Sequence, residues 1–250
     1  MGSAFIGKAK VRVALFSAGS TFENRPFRYL ENVSAFQFSF SEEEKKLADF
    51  ASASGGVDAS VKRIGDVTGS LDLRHFTADN LALALWGTTA ALAATPITDE
   101  AGYKIVPNMF VPTKRLINTG VAPVVKKGAT TILTADYTVS AGGITISSTL
   151  TTGSVASGDA ITISYTPLVG ADVQSLINSA PDISIHVEGV NEVDGKQLIF
   201  KGYKAKLGVA QNVSLIGDDF GTLQLSLTFQ KDETIVAGGK SQYFEMQQAT

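Results

Sequence analysis

Apolar and polar residues alternate with a period of two through much of this chain, the pattern of strands that bury one face and wet the other. In Ser34–Phe40, Phe36, Phe38 and Phe40 share one face, and Gln37 and Ser39 share the other. Asp66–Leu73, Ile183–Glu188 and Thr222–Phe229 repeat the alternation. Lys10–Phe16, Gln197–Leu207 and Ser214–Ile216 read as further strands. The expected fold class is mainly β, an antiparallel sandwich or barrel with a dry face and a polar face.

Two segments break the period. Ser41-Glu42-Glu43-Glu44 has the spacing of a capping box, with Ser41 as N-cap and Glu44 three residues on, so a helical turn is expected through Phe50. The run Ser41–Arg63, with Gly55-Gly56 inside it, reads as one long connection between strands, and connections of this length are usually either functional or disordered. Its candidate intersubunit residues are Glu42, Glu43, Glu44, Lys45, Lys46, Leu47, Phe50, Val57 and Arg63. The second break, Thr77–Gly87, is rich in Ala and Leu. Thr77 or Asp79 can cap its start, and Gly87 can take the left-handed position after its end. It is expected to be a short helix closing one opening of the β-core.

Residues 107–170 differ in character. They are rich in Thr, Val, Ile and Ala, with Pro107, Pro112 and Pro123 at the start and short strands expected at Asp136–Val139, Gly143–Ile146 and Ala160–Tyr165. This predicts a small inserted β-sandwich-like module, with the main domain formed by 1–106 and 171–250.

Composition narrows the function. Only 18% of the 250 residues are charged, against about 25% in an average soluble domain. Such a chain must fold well or hide surface against its own copies. The net charge of −3 gives no basic excess for gripping phosphates. The absence of cysteine excludes disulfides, thiolate metal sites and cysteine nucleophiles. The start, Met1–Lys10, does not read as a secretory signal or a myristoylation site, and no apolar stretch is long enough to span a membrane.

Catalytic chemistry finds little support. His75 and His186 are the only histidines and belong to no spaced ligand cluster, so no metal or cofactor is expected. Gly239-Lys240-Ser241 lacks the earlier glycine of a phosphate loop, because Thr234 stands there. Val190–Gly195 fails the calcium-loop pattern at its first position. Asp218-Asp219 is the best carboxylate pair, but between two glycines it reads as a turn, as do Asn191, Asp194 and Gly195. The expectation is a protein that is not an enzyme.

Several segments, in order, resemble the tail tube proteins of long-tailed bacteriophages. These are Leu71-Asp72-Leu73-Arg74-His75-Phe76 running into Asn80-Leu81-Ala82-Leu83-Ala84-Leu85-Trp86-Gly87, then Glu188–Lys196, Ser214–Gly221 and Gln242-Tyr243-Phe244. The resemblance implies stacked rings, usually sixfold, around a channel that DNA transits without specific binding. It also implies a virion tail assembled in the host cytoplasm, and tape measure, tail tip and tail terminator proteins as partners. Long loops and terminal arms would join successive rings. On that reading Phe36, Phe38, Leu71, Leu73, Ile185, Val187, Leu225 and Leu227 pack inside the subunit. The channel would be lined by Gln37, Ser39, Asp66, Thr68, Ser70, Asp72, Ser184, His186, Glu188, Gln224, Ser226 and Thr228, a polar to acidic set that repels phosphate. Two alternatives remain open: a secreted or surface carbohydrate-binding β-sandwich, which would expose aromatic platforms, and a β-sandwich hydrolase, which would need spaced carboxylates in a cleft.

Overall fold

The computed structural model describes residues 7–50 and 55–249. Along the chain the first elements are β1 (Gly7–Leu15), β2 (Arg28–Leu30), β3 (Val33–Ala48), β4 (Val57–Leu73), the helix α1 (Ala78–Ala84) and β5 (Thr88–Leu92). Next come β6 (Ile97–Lys104), β7 (Phe110–Pro112), β8 (Val124–Lys127), β9 (Thr130–Thr131), β10 (Tyr137–Ser140), β11 (Gly143–Ile146) and β12 (Ala160–Tyr165). The chain ends with β13 (Gly170–Gln174), β14 (Asp182–Asn191), β15 (Gln197–Leu207), β16 (Leu223–Phe229) and β17 (Phe244–Gln248). The expected mainly-β class is borne out, with 51% of residues in strands and 5% helical.

The chain divides into two compact units, 1–89 with 173–250, and 90–172. The first is built on one sheet in the order β2-β1-β14-β15-β16-β4-β3, with β17 added beside β15. β15 serves two neighbours on one side: its first half pairs with β17 and its last residues with β16. The sheet folds over at that strand and encloses a core that includes Val11, Leu71, Leu73, Ile185, Leu225 and Leu227. Phe36 and Phe38 pack against this core from β3. Gly69 lies between Phe38 and Leu227 across the ladder, where an added Cβ would come 2.8 Å from the Gln37 carbonyl oxygen.

Thr77 caps α1, its hydroxyl accepting from the Asn80 amide at 3.2 Å. The helix packs on the core through Ala84, Leu81 and Leu83. The left-handed residue after it is Trp86 (φ 50°), not Gly87. Gly87 is needed for another reason: a Cβ there would sit 2.1 Å from the Gln174 carbonyl oxygen. Ser214–Ile216 is not a strand; only Val213 forms an isolated bridge, to Leu223.

The second unit begins at residue 90, earlier than the expected 107, because β6 pairs with β12 and Ile105 lies at the centre of its core. A sheet of β7, β10 and β11 and a sheet of β6, β8, β9 and β12 enclose that core. Asp136 is fully buried here and accepts from both the amides and the hydroxyls of Thr151 and Thr152, at 2.5–2.8 Å. Burial alone would raise its pKa, but these donors outweigh it and hold the carboxyl well below the usual carboxylate range. Its contribution to stability is therefore complete above the unfolded-state value of about 3.9 and is lost as pH falls below it. Hydrogen exchange across this unit should stay constant from neutral pH to about pH 4, after correction for intrinsic rates, and accelerate below it. Asp136→Ala should cost about 1–3 kcal/mol at neutral pH by stranding the threonine donors. Unchanged protection in that variant would contradict this account.

Candidate assembly interface and polar face

The sequence between Ser41 and Arg63 does not form a loop with a helical turn. β3 and β4 run on through it as a hairpin, paired from Glu42↔Ile64 to Ala48↔Val57. The alternation Val57-Asp58-Ala59-Ser60-Val61 was the signal for this, and the local capping-box spacing obscured it. Ser41, the expected N-cap, instead bridges a bulge in which it faces both Gly65 and Asp66. Its Oγ accepts from the Asp66 amide at 2.6 Å and donates to the Asp66 carbonyl at 3.2 Å. Residues 51–54 of the expected loop lie outside the described residues.

Beyond the bulge the hairpin is an arm with no third strand among the described residues. Leu47, Phe50, Val57, Val61 and Ile64 are all exposed on it. Lys45 and Arg63 stand on the face that carries Leu47 and Val61, and Glu43 pairs opposite Arg63. Lys62 reaches Glu42 at 3.4 Å and Lys46 reaches Glu44 at 3.2 Å. Such exposed pairs add little stability, and a bare two-stranded hairpin is marginal in water.

The predicted channel residues separate into two groups. Most of them meet on the outward face of β3, β4 and β16. Gln37, Ser70 and Ser226 form one cross-strand row, Ser39, Thr68 and Thr228 the next, and Asp72 and Gln224 a third. Ser39 and Thr68 share a hydrogen bond of 2.9 Å, and Asp66 follows at the bulge. No lysine or arginine stands in these rows. The edge of β3 away from β4 has no partner strand among the described residues.

The β14 candidates are different. Ser184 is fully buried, so it is no surface residue; its hydroxyl donates to the Tyr203 carbonyl at 2.8 Å and accepts from Arg25 at 2.7 Å. The sequence of β14 alone could not show that the segment before β2 folds across this strand. His186 is half-buried near the rings of Phe22 and Phe27 and stands in register with Arg12 and Lys201. Burial first, then Arg12, lowers its pKa. Glu188 pairs with Arg12 at 2.8 Å, and the guanidinium holds its carboxyl below the usual range. This face is a mixed-charge surface, in contrast to the hydroxyl-rich face of β3, β4 and β16.

One feature had no simple sequence signal. An apolar cleft of about 420 Å³ opens between the first residues of β1 and the free edge of β3. Phe36, Phe38, Val187, Phe200 and Met246 line it, with Lys8, Ser34 and Gln248 as its polar side chains. The rings of Phe38 and Phe244 both stack on Phe200, at 5.4 Å. β3, β14, β15 and β17 converge here from distant parts of the chain.

Among the described residues no group of His, Asp and Glu side chains is placed to hold a metal ion, and no helix is long and apolar enough to cross a membrane. Asp218 and Asp219 lie in an exposed loop before β16, and His75 meets Glu31 at 3.0 Å on the surface.

No curated protein matches the chain. A family model matches residues 4–247, spanning both units. The chain therefore belongs to the family described as protein of unknown function UCP028589.

Proposed function

We propose that this chain is the structural subunit of a bacteriophage tail tube, stacking as hexameric rings around a polar to acidic channel through which DNA passes. The observation that carries the reading is the outward face of β3, β4 and β16: rows of Gln, Ser, Thr and Asp without a lysine or arginine, ending at the unpaired edge of β3. An isolated sheet protein usually defends such an edge with lysine, proline or a short strand. Here the edge from Val33 to Phe40 carries none of these, and closure of a ring would remove it. Hydroxyls, amides and a few carboxylates suit a wall along which phosphates slide, since nothing on it holds them. The arm of β3 and β4 would reach the next ring, and the tape measure, tail tip and tail terminator proteins would be its other partners in the virion.

Negative-stain electron microscopy of the purified chain, with and without a tail-tip initiator, tests this. Rings or tubes with a central hole are expected. Compact monomers at every concentration under both conditions would refute it. Ser70→Arg with Ser226→Arg places guanidinium groups in the middle row of the polar face. Tubes of that variant should retain DNA at low salt and release it as salt rises, while unaltered tubes retain none.

A further inference from the structure

Another cavity of the first unit, about 810 Å³, is lined by residues of β1, β2, α1 and the segment leading into β14. Its size falls within the range of ligand pockets, about 300–1,000 Å³. Val13, Leu83, Pro181 and Ile183 give it an apolar wall, and the charged side chains lining it are Arg28 and Asp79. Arg28 stands in register with Val13 and is half-buried. Its Nη1 donates to Asn80 Oδ1 at 2.9 Å, and its Nη2 donates to the Asp79 carbonyl at 3.2 Å. Asn80 is itself buried, and its side-chain nitrogen donates to the His75 carbonyl at 3.1 Å, which fixes its oxygen on the guanidinium. The remaining N–H groups of Arg28 have no acceptor among the described residues. Burial lowers the Arg28 pKa, against the attraction of Asp79. The Asp79 carboxylate is no ion-pair partner: it belongs to an exposed residue and accepts from the Thr89 hydroxyl at 3.3 Å.

Trp86 also lines this cavity. Its backbone is left-handed, at φ 50°, which is an outlier for a bulky residue and costs glycine nothing. Its indole N–H is buried and has no hydrogen-bond partner among the described residues. Asn178 locks the strained turn, its amide donating to the Trp86 carbonyl at 3.0 Å and its side chain to the Gly87 carbonyl at 3.1 Å. Strain of this kind collects at ligand sites. A ring that only filled space would not justify both penalties. The chemistry of the walls then says what fits. A planar guanidinium with spare N–H groups holds a carboxylate through two parallel hydrogen bonds. The apolar wall and the indole suit a hydrocarbon body. Asp79 beside the single cation disfavours a multiply charged anion such as phosphate.

We propose that this cavity binds an organic acid with one carboxylate and an apolar body, the carboxylate on Arg28 and the body against Val13, Leu83, Ile183 and Trp86. The site is independent of the tube reading and stands or falls without it. Trp86 is the only tryptophan in the chain, so its fluorescence reports on this cavity alone. Octanoate titrated into the whole chain at neutral pH should change that fluorescence saturably. Octanol, the same body without the charge, should bind at least about tenfold more weakly, because the charge-assisted pair is lost. Arg28→Gln should weaken octanoate by about tenfold or more and leave octanol unchanged. Circular dichroism and thermal unfolding check that this variant is folded, and the comparison of octanoate with octanol on the unaltered chain decides the matter if it is not. No saturable change with octanoate, equal affinity for octanoate and octanol, or equal octanoate affinity in a folded Arg28→Gln variant would overturn the proposal.

Discussion

Leu47→Asp combined with Val61→Asp should abolish polymerisation while leaving the fold and thermal unfolding of the chain almost unchanged. The two side chains are diagonal neighbours on one face of the β3–β4 arm, and both are exposed in the single chain. Surface substitutions of this kind usually shift stability by no more than about 0.5 kcal/mol. In an assembly that buries the arm, each apolar side chain contributes about 1.5–3 kcal/mol. Losing both weakens each contact by about a hundred- to ten-thousand-fold, and every neighbour in a stack repeats the loss. The buried aspartates add a desolvation penalty. Sedimentation velocity and electron microscopy should find monomers under conditions in which the unaltered chain, on the proposed reading, forms tubes. Tubes of normal length at the same concentration would show that the arm is not an assembly contact.

Arg25→Ala should produce the largest loss of stability of any single substitution considered, about 3–5 kcal/mol. Against a total of about 5–15 kcal/mol for a domain, that leaves little margin. The Arg25 and Asp232 side chains are 0% and 2% exposed and meet at 2.9 Å. Arg25 also donates to the Ser184 hydroxyl and the Tyr203 carbonyl at 2.7 Å each, and to the Ser20 carbonyl at 3.0 Å. Its guanidinium carbon lies 4.5 Å from the centre of the Phe16 ring. Truncation would remove the donors that serve a buried carboxylate and three further acceptors. Burial works to raise the Asp232 pKa, but Thr234 and Arg25 outweigh it and hold the carboxyl below its ordinary value. The pair is therefore fully effective above about pH 4 and weakens as acid protonates Asp232. Arg25→Lys should not rescue, because a point charge cannot reproduce the fork that serves Ser184, Tyr203, Asp232 and Ser20 together. Chemical denaturation at neutral pH measures the loss. A loss of less than about 1 kcal/mol in unfolding free energy would mean that water or a neighbouring group replaces the guanidinium.

Much of the strand content was legible because alternation is a local property. Gln197–Leu207, Gly143–Ile146 and Ala160–Tyr165 coincide with β15, β11 and β12, and Thr77 caps its helix as its sequence context indicates. The misreadings share one cause. The Ser41–Glu44 spacing favours a helix start in isolation, but the ladder pairs Glu42–Ala48 with Val57–Ile64, and cross-strand pairing overrides a local capping preference of about 1 kcal/mol. Ser184 follows the polar half of a period, yet Arg25, 159 residues away in sequence, turns its side of the strand into an interior.

By itself the sequence determined that this is an antiparallel β protein with a hydroxyl-rich set of side chains opposite its dry core, because the two-residue period decides which side chains share a face. Only the tertiary structure decided which of those faces join, since register and sheet order depend on partners far apart along the chain. It brought the polar residues of β3, β4 and β16 into shared rows, set those of β14 among basic neighbours, and among the described residues left one long edge unpaired, a charged arm with exposed apolar side chains, and an apolar cleft. Strand order is a property of the closed core rather than of any segment, so no reading of one strand could have supplied it.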